Sequence, residues 1–175
     1  RAFAAEALGG MGEPGTAKAL HKALADPDLG VVAAAAFALG GVPSPDTSKR
    51  YAACLTDLKR RFAACLVGSA ISMSDFGPHM LTVTRLVEGA TRLDDAANGA
   101  VVAQAAADFL LPAQDVDYSE RVGDDPMVPR RRLAKAVIEG CRAHPGAAVK
   151  STLEALAARD DLGVAADAQA LLGAR

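Results

Sequence analysis

Aromatic residues are scarce in this 175-residue chain: two tyrosines, five phenylalanines and no tryptophan make up 4% of it. A core of stacked rings is excluded, and little is left for stacking against single-stranded bases. Cysteine is also sparse. Cys54, Cys65 and Cys141 are an odd number without the paired spacing of a disulfide framework or a zinc site, so a disulfide-stapled fold is excluded and a reducing, cytoplasmic setting is expected. Neither sign of charge dominates, since 19 Lys and Arg face 21 Asp and Glu for a net charge of −2. That balance gives no global attraction to phosphate backbones or anionic membranes. The longest uncharged runs, such as residues 62–73, fall short of the roughly 20 residues a membrane-spanning helix needs, so no membrane span is expected. The chain has no initiator Met and no signal-peptide layout; Arg1 opens directly into an apolar helical pattern, which predicts a fragment of a longer chain.

What the chain has in excess is alanine, at about 40 positions. Alanine is the best helix former, while β-branched and aromatic strand formers are few, so the composition predicts an all-α protein. An internal repeat supports this. Ala4-Ala5-Glu6-Ala7-Leu8-Gly9-Gly10 returns as Ala35-Ala36-Phe37-Ala38-Leu39-Gly40-Gly41, an offset of 31 residues that fits two short helices with their turns. A second helix over residues 16–25 fits between the copies, bounded by Gly12-Glu13-Pro14-Gly15 and Asp26-Pro27-Asp28. Asp161-Leu162-Gly163-Val164 and Leu172-Gly173 repeat Asp28-Leu29-Gly30-Val31 and Leu39-Gly40 at a shift of 133. The Gly-Gly pairs at 9–10 and 40–41 read as repeat-end turns.

This pattern resembles the HEAT-like helical repeats, in particular the subfamily named after phycobilisome lyases, whose unit runs Asp-Pro-x-x-x-Val-Arg-x-x-Ala-Ala-x-Ala-Leu-Gly. The resemblance is best over residues 1–42, moderate over 125–175 and poor between. It implies an α-solenoid of stacked antiparallel helical hairpins, a HEAT-like superhelix, with residues 1–175 as a single repeat domain. It also implies an arginine after the valine that ties one repeat to the next. Arg1 occupies that slot, and so does Arg131 if Asp125-Pro126 aligns with Asp26-Pro27; Val32 and Ala165 fill it elsewhere. Each hairpin has two apolar faces and hides them by stacking on its neighbours.

The middle has a helical rhythm of its own. Tyr51, Leu55, Leu58, Phe62, Cys65 and Leu66 form one stripe behind the cap region Asp46-Thr47-Ser48, and Phe76-Gly77-Pro78 is expected to stop that helix. Val83, Leu86, Val87, Ala90 and Leu93 mark a second helix, and residues 96–111 a third. Residues 112–129, acidic and carrying Gly123 and three prolines, are expected as an exposed acidic loop or an insertion between repeats. A last hairpin, 130–141 and 147–159, turns through Ala143-His144-Pro145-Gly146.

Charge is locally uneven. Residues 46–61 hold five basic and two acidic side chains, residues 75–125 three basic and ten acidic, and residues 130–159 seven basic and two acidic. Lys59, Arg60, Arg61, Arg130, Arg131 and Arg132 are therefore the candidate partner-binding residues, able to line a basic surface or simply to solvate helix backs. Catalytic groupings are thin. His21, His79 and His144 lie on separate hairpins without metal-ligand spacing and are expected at the surface or at helix caps. Cys54 and Cys65, eleven residues apart, sit about 16 Å apart along one helix and read as apolar fillers. The run from Asp115 has the alternating oxygens of a calcium loop, but Glu120 stands where that loop needs glycine and Pro126 where it needs a bidentate carboxylate.

The expected function is a non-catalytic protein-protein interaction scaffold with no cofactor and no metal, whose second helices line the concave side and whose basic clusters steer acidic segments of another protein. Nucleic-acid binding through those clusters is the main alternative. A bilin-lyase-like enzyme subunit is a weaker one, resting on the subfamily's name and the cysteines.

Overall fold

A computed structural model of the chain describes residues 1–42, 44–68, 70–113, 115–117, 125 and 127–174. Among them run nine α-helices: α1 (Ala2–Met11), α2 (Ala17–Ala23), α3 (Leu29–Leu39), α4 (Thr47–Ala64), α5 (Met73–Thr91), α6 (Asn98–Ala105), α7 (Met127–Ala143), α8 (Ala147–Ala157) and α9 (Ala165–Gly173). A π-helical turn, Ala106–Leu110, extends α6. Helices α1, α3, α5 and α7 pack in sequence as one layer, and α2, α4, α6 and α8 form the second, with α9 closing against α8. The fold is an all-α, HEAT-like repeat solenoid.

Side-chain size sets the spacing of the first layer. Helix α3 is apolar around most of its circumference, with Val31 through Ala36, Ala38 and Leu39 all buried, because α1, α2 and α5 enclose it. A Cβ placed on Gly40 would come within 2.7 Å of the Gly89 carbonyl oxygen, and one on Gly9 would collide with Ala38. Gly9 and Gly10 are therefore not turn residues: they lie in the last turn of α1, and Gly12, at φ 63°, makes the left-handed cap. Gly40 does end its helix.

Helix α4 follows the apolar stripe read from the sequence, burying Tyr51, Cys54, Leu55, Leu58 and Phe62. Tyr51 ties the layers together, its hydroxyl donating 2.6 Å to the Ala36 carbonyl. Phe62 packs against Phe76 and Phe109 at centroid distances of 6.3 and 5.9 Å, which joins α4 to α5 and to the π turn.

Phe76-Gly77-Pro78 does not stop a helix. The break comes earlier, where β1 (Leu66–Val67) and β2 (Ala70–Ser72) pair antiparallel past Gly68. Ser72 then caps α5, its Oγ accepting from the Asp75 amide at 3.2 Å. Pro78 falls in the second turn of α5, where a proline has no amide to give the helix. That costs on the order of 3 kcal/mol, against which α5 buries Phe76, His79 and Met80 around it.

Within the expected loop at 112–129, β3 (Asp115–Asp117) pairs parallel with β2, Ile71 facing Val116, and α7 already begins at Met127. Tyr118 through Asp124 and Pro126 lie outside the described residues.

Candidate interaction groove

Three depressions of about 600, 680 and 450 Å³ run into one another across the outer face of the first layer. Shared lining joins them: Phe37, Arg85 and Arg92 link the first two, and Leu81, Thr84 and Arg132 the second and third. The groove therefore crosses α1, α3, α5 and α7 rather than following one helix. It lies on the first helix of each hairpin, where the sequence pointed to the second.

The floor is apolar. Ala33 and Ala34 of α3 underlie it, and Leu81 and Val128, 47% and 45% exposed, are two of the few large apolar side chains left open to solvent. Phe37 sits at the centre under two cations, with the Arg92 guanidinium 3.8 Å from its ring centroid and that of Arg85 4.8 Å away. The ring's negative face holds both. Arg85 also pairs with Glu88 at 2.9 Å, and Glu139 with Arg142 at 2.6 Å. Arg92, Arg132 and Lys135 make no ion pair among the described residues.

The six basic residues chosen from the sequence do not come together. Lys59, Arg60 and Arg61 are on α4, in the second layer; Lys59 pairs with Asp108 at 2.6 Å, and Arg60 and Arg61 both pair with Asp57. Those two guanidiniums, Arg60 first, hold the Asp57 carboxyl below the ordinary carboxylate range. Arg61 also donates to the Asp26 carbonyl at 2.7 Å, which anchors the α2–α3 turn. On α7, Arg130 is buried, its guanidinium 5.5 Å from the Phe76 ring centroid. Arg131 reaches the Asp161 carbonyl at 3.5 Å. Arg132 alone joins the groove.

Two histidines expected at the surface or at helix caps are buried, His144 at a cap and His79 within a helix. His79 is inside because α5 extends through it, and its ring stands edge-on to Phe62 at 5.4 Å, with Nδ1–H donating to the Asp75 carbonyl. His144 turns inward from the α7–α8 connection and donates from Nε2 to the Ala90 carbonyl at 3.0 Å, capping the last turn of α5. Only His21 is half-exposed, and burial with Arg50 nearby lowers its pKa. The three cysteines form no disulfide, and burial pushes the Cys54 thiol up to about 12. No group of three or more His, Cys, Asp or Glu among the described residues is placed to hold a metal ion. No helix among them is long and apolar enough to cross a membrane.

Residues 1–66, which cover α1 to α4, match a family model described as HEAT repeats. Over that stretch the chain is built of HEAT-like repeats. No curated protein and no solved structure matches it. The HEAT-like stacking nonetheless continues past the matched stretch, through α5 and α7 in one layer and α6 and α8 in the other. The arginine slot of the repeat behaves alike at both ends. Arg1 pairs with Asp26 at 3.0 Å, and Arg131 reaches Asp161, each bridging to the turn that opens the next unit. The Asp28 amide, with Arg1 behind it, lowers the Asp26 pKa. The repeat framework accounts for the layers; the groove is what this chain's own side chains add to it.

Proposed function

We propose that the chain is a non-catalytic scaffold that binds a protein partner along the groove of its first layer. One observation carries the reading: a groove across four stacked helices leaves apolar side chains open at Phe37, Leu81 and Val128, among cations. Exposed apolar patches of this kind mark interaction sites more often than chance surface, and HEAT repeats commonly act as interaction scaffolds. No cofactor or metal takes part. Of the six basic residues, Arg132 stays in the binding surface, while the α4 triplet serves the second layer through Asp57 and Asp108. Residues 1–175 act as a single repeat domain interrupted at 112–129, and three cysteines outside any disulfide suit a reducing, cytoplasmic setting.

Site-specific photo-crosslinking tests this. A photoreactive residue at Leu81, in the groove, is expected to give discrete protein adducts in extract of the source cells. The same residue at Thr56, exposed on α4, gives none. Adducts of equal yield from both positions, or none from Leu81, overturn the proposal.

A further inference from the structure

We infer that the occupant of the groove is an extended acidic segment of a partner protein, its carboxylates held by Arg92, Arg132 and Lys135 and an apolar side chain seated beside Phe37 and Leu81. The inference rests on the scaffold reading above and adds the chemistry of the partner.

The middle depression carries four cations, Arg85, Arg92, Arg132 and Lys135, against two carboxylates, Glu88 and Glu139, in a chain whose net charge is −2. Both carboxylates are already engaged, by Arg85 and by Arg142. Arg92, Arg132 and Lys135 are left beside the apolar floor with no carboxylate paired to them among the described residues. Arg132 and Lys135 are three residues apart on α7 and so neighbours on one face. The Arg92 guanidinium carbon sits 3.8 Å from the Phe37 ring centroid, a contact that restrains the side chain, and a guanidinium suits bidentate pairing with a carboxylate. Helices packed 8–10 Å apart make the span from α1 to α7 roughly 24–30 Å, the length of about eight extended residues.

Duplex nucleic acid fits less well. Glu6, Glu88 and Glu139 stand in the same groove, and three spare cations neutralise few phosphates. An acidic peptide with apolar residues matches both the charge and the floor.

Fluorescence anisotropy with defined probes decides it: a labelled peptide of three Asp-Leu-Glu units, its Asn-Leu-Gln counterpart, and a short DNA duplex. The acidic peptide is expected to bind at least about tenfold more tightly than the amide counterpart, and to weaken as salt is raised. R132E/K135E, two exposed positions whose helix content is checked by circular dichroism, is expected to lose that tenfold preference. K59E/R60E keeps it. Equal binding of the acidic and amide peptides, no acidic-peptide binding up to roughly millimolar concentration, an equal loss with K59E/R60E, or tighter binding of the duplex each overturn the inference. Crosslinks from Leu81 alongside any of the first three results would leave the scaffold standing and remove only the acidic partner.

Discussion

Replacing Tyr51 by phenylalanine tests the join between the layers with the smallest possible change. The ring and its packing stay; one hydroxyl goes. At the end of α3 the Gly40 amide turns to the Phe37 carbonyl at 3.2 Å, so the Ala36 carbonyl takes its donor from Tyr51 instead. Without that hydroxyl a buried acceptor is left unpaired, which costs about 1–3 kcal/mol. For a chain of this size each kcal/mol lowers Tm by roughly 2–4 °C. The effect carries a pH signature as well. Burial raises the pKa of the folded Tyr51 phenol well above its ordinary value of 10.0, so the stabilisation is complete below about pH 10 and is lost as pH rises above it, where the unfolded chain ionises and the folded one does not. The parent chain then loses about 1.4 kcal/mol per pH unit that Tyr51→Phe does not lose. Urea denaturation followed by circular dichroism at pH 7 and pH 11 reads both effects. The parent is expected to lead by 1–3 kcal/mol at pH 7, with the lead shrinking by about 1.4 kcal/mol at pH 11. Cys54 is present in both proteins and largely cancels in the difference. A lead below about 0.5 kcal/mol at pH 7, unchanged at pH 11, would refute the reasoning, since that is the scatter of a neutral substitution.

Gly40→Ala drives a Cβ into the Gly89 backbone and is expected to cost about 1–3 kcal/mol in urea denaturation, whereas Gly10→Ala, in α1 with nothing within 4 Å of the new Cβ, should be neutral or gain about 0.5–1 kcal/mol. Iodoacetamide labelling of the folded chain, mapped by mass spectrometry, should reach half-buried Cys65 first and Cys54 and Cys141 only on unfolding, given their burial and the raised Cys54 pKa. In acid, Asp26, Asp57, Asp95 and Asp161 all have lowered pKa values from hydrogen bonds and cations around them. Their stabilisation is full above about pH 4 and lost as pH falls through those lowered values, so helix content should hold at pH 5 and decline below pH 4.

The helical hairpins were legible because repeat spacing, alanine content and Gly/Pro punctuation all agree, and the stripe from Tyr51 to Phe62 gave α4 its buried face. Pro78 misled because proline is a strong local signal, while the cap that overrides it, Ser72 with Asp75, is a short polar pattern ahead of it. The burial of His79 followed from that one boundary. The small sheet had no signal either, since strands of two and three residues carry too little alternation to register, and β3 pairs with β2 across more than forty positions of chain. Gly9 looked like punctuation because a glycine that lets two helices touch and one that ends a helix are the same letter.

The candidate site shows most clearly what a linear reading confuses. Successive residues on a helix point about 100° apart, so Lys59, Arg60 and Arg61 fan over about 200° of α4, and likewise Arg130, Arg131 and Arg132 over α7. A run of three charges is thus never one face: the first triplet splits among Asp108, Asp57 and the α2–α3 turn, and the second among the Phe76 ring, the Asp161 turn and the groove. Charges that do share a face recur at three, four or seven residues, the spacing of Arg132 with Lys135 and of Arg85 with Arg92. Neither pair stands out as a cluster in the sequence. They become one surface only because α5 and α7 are neighbours in the first layer, with Phe37 of α3 beside them, an adjacency created by stacking hairpins whose other helices lie a layer away. In a two-layer solenoid, binding residues are therefore better sought at helical spacing on alternate helices than in consecutive basic runs.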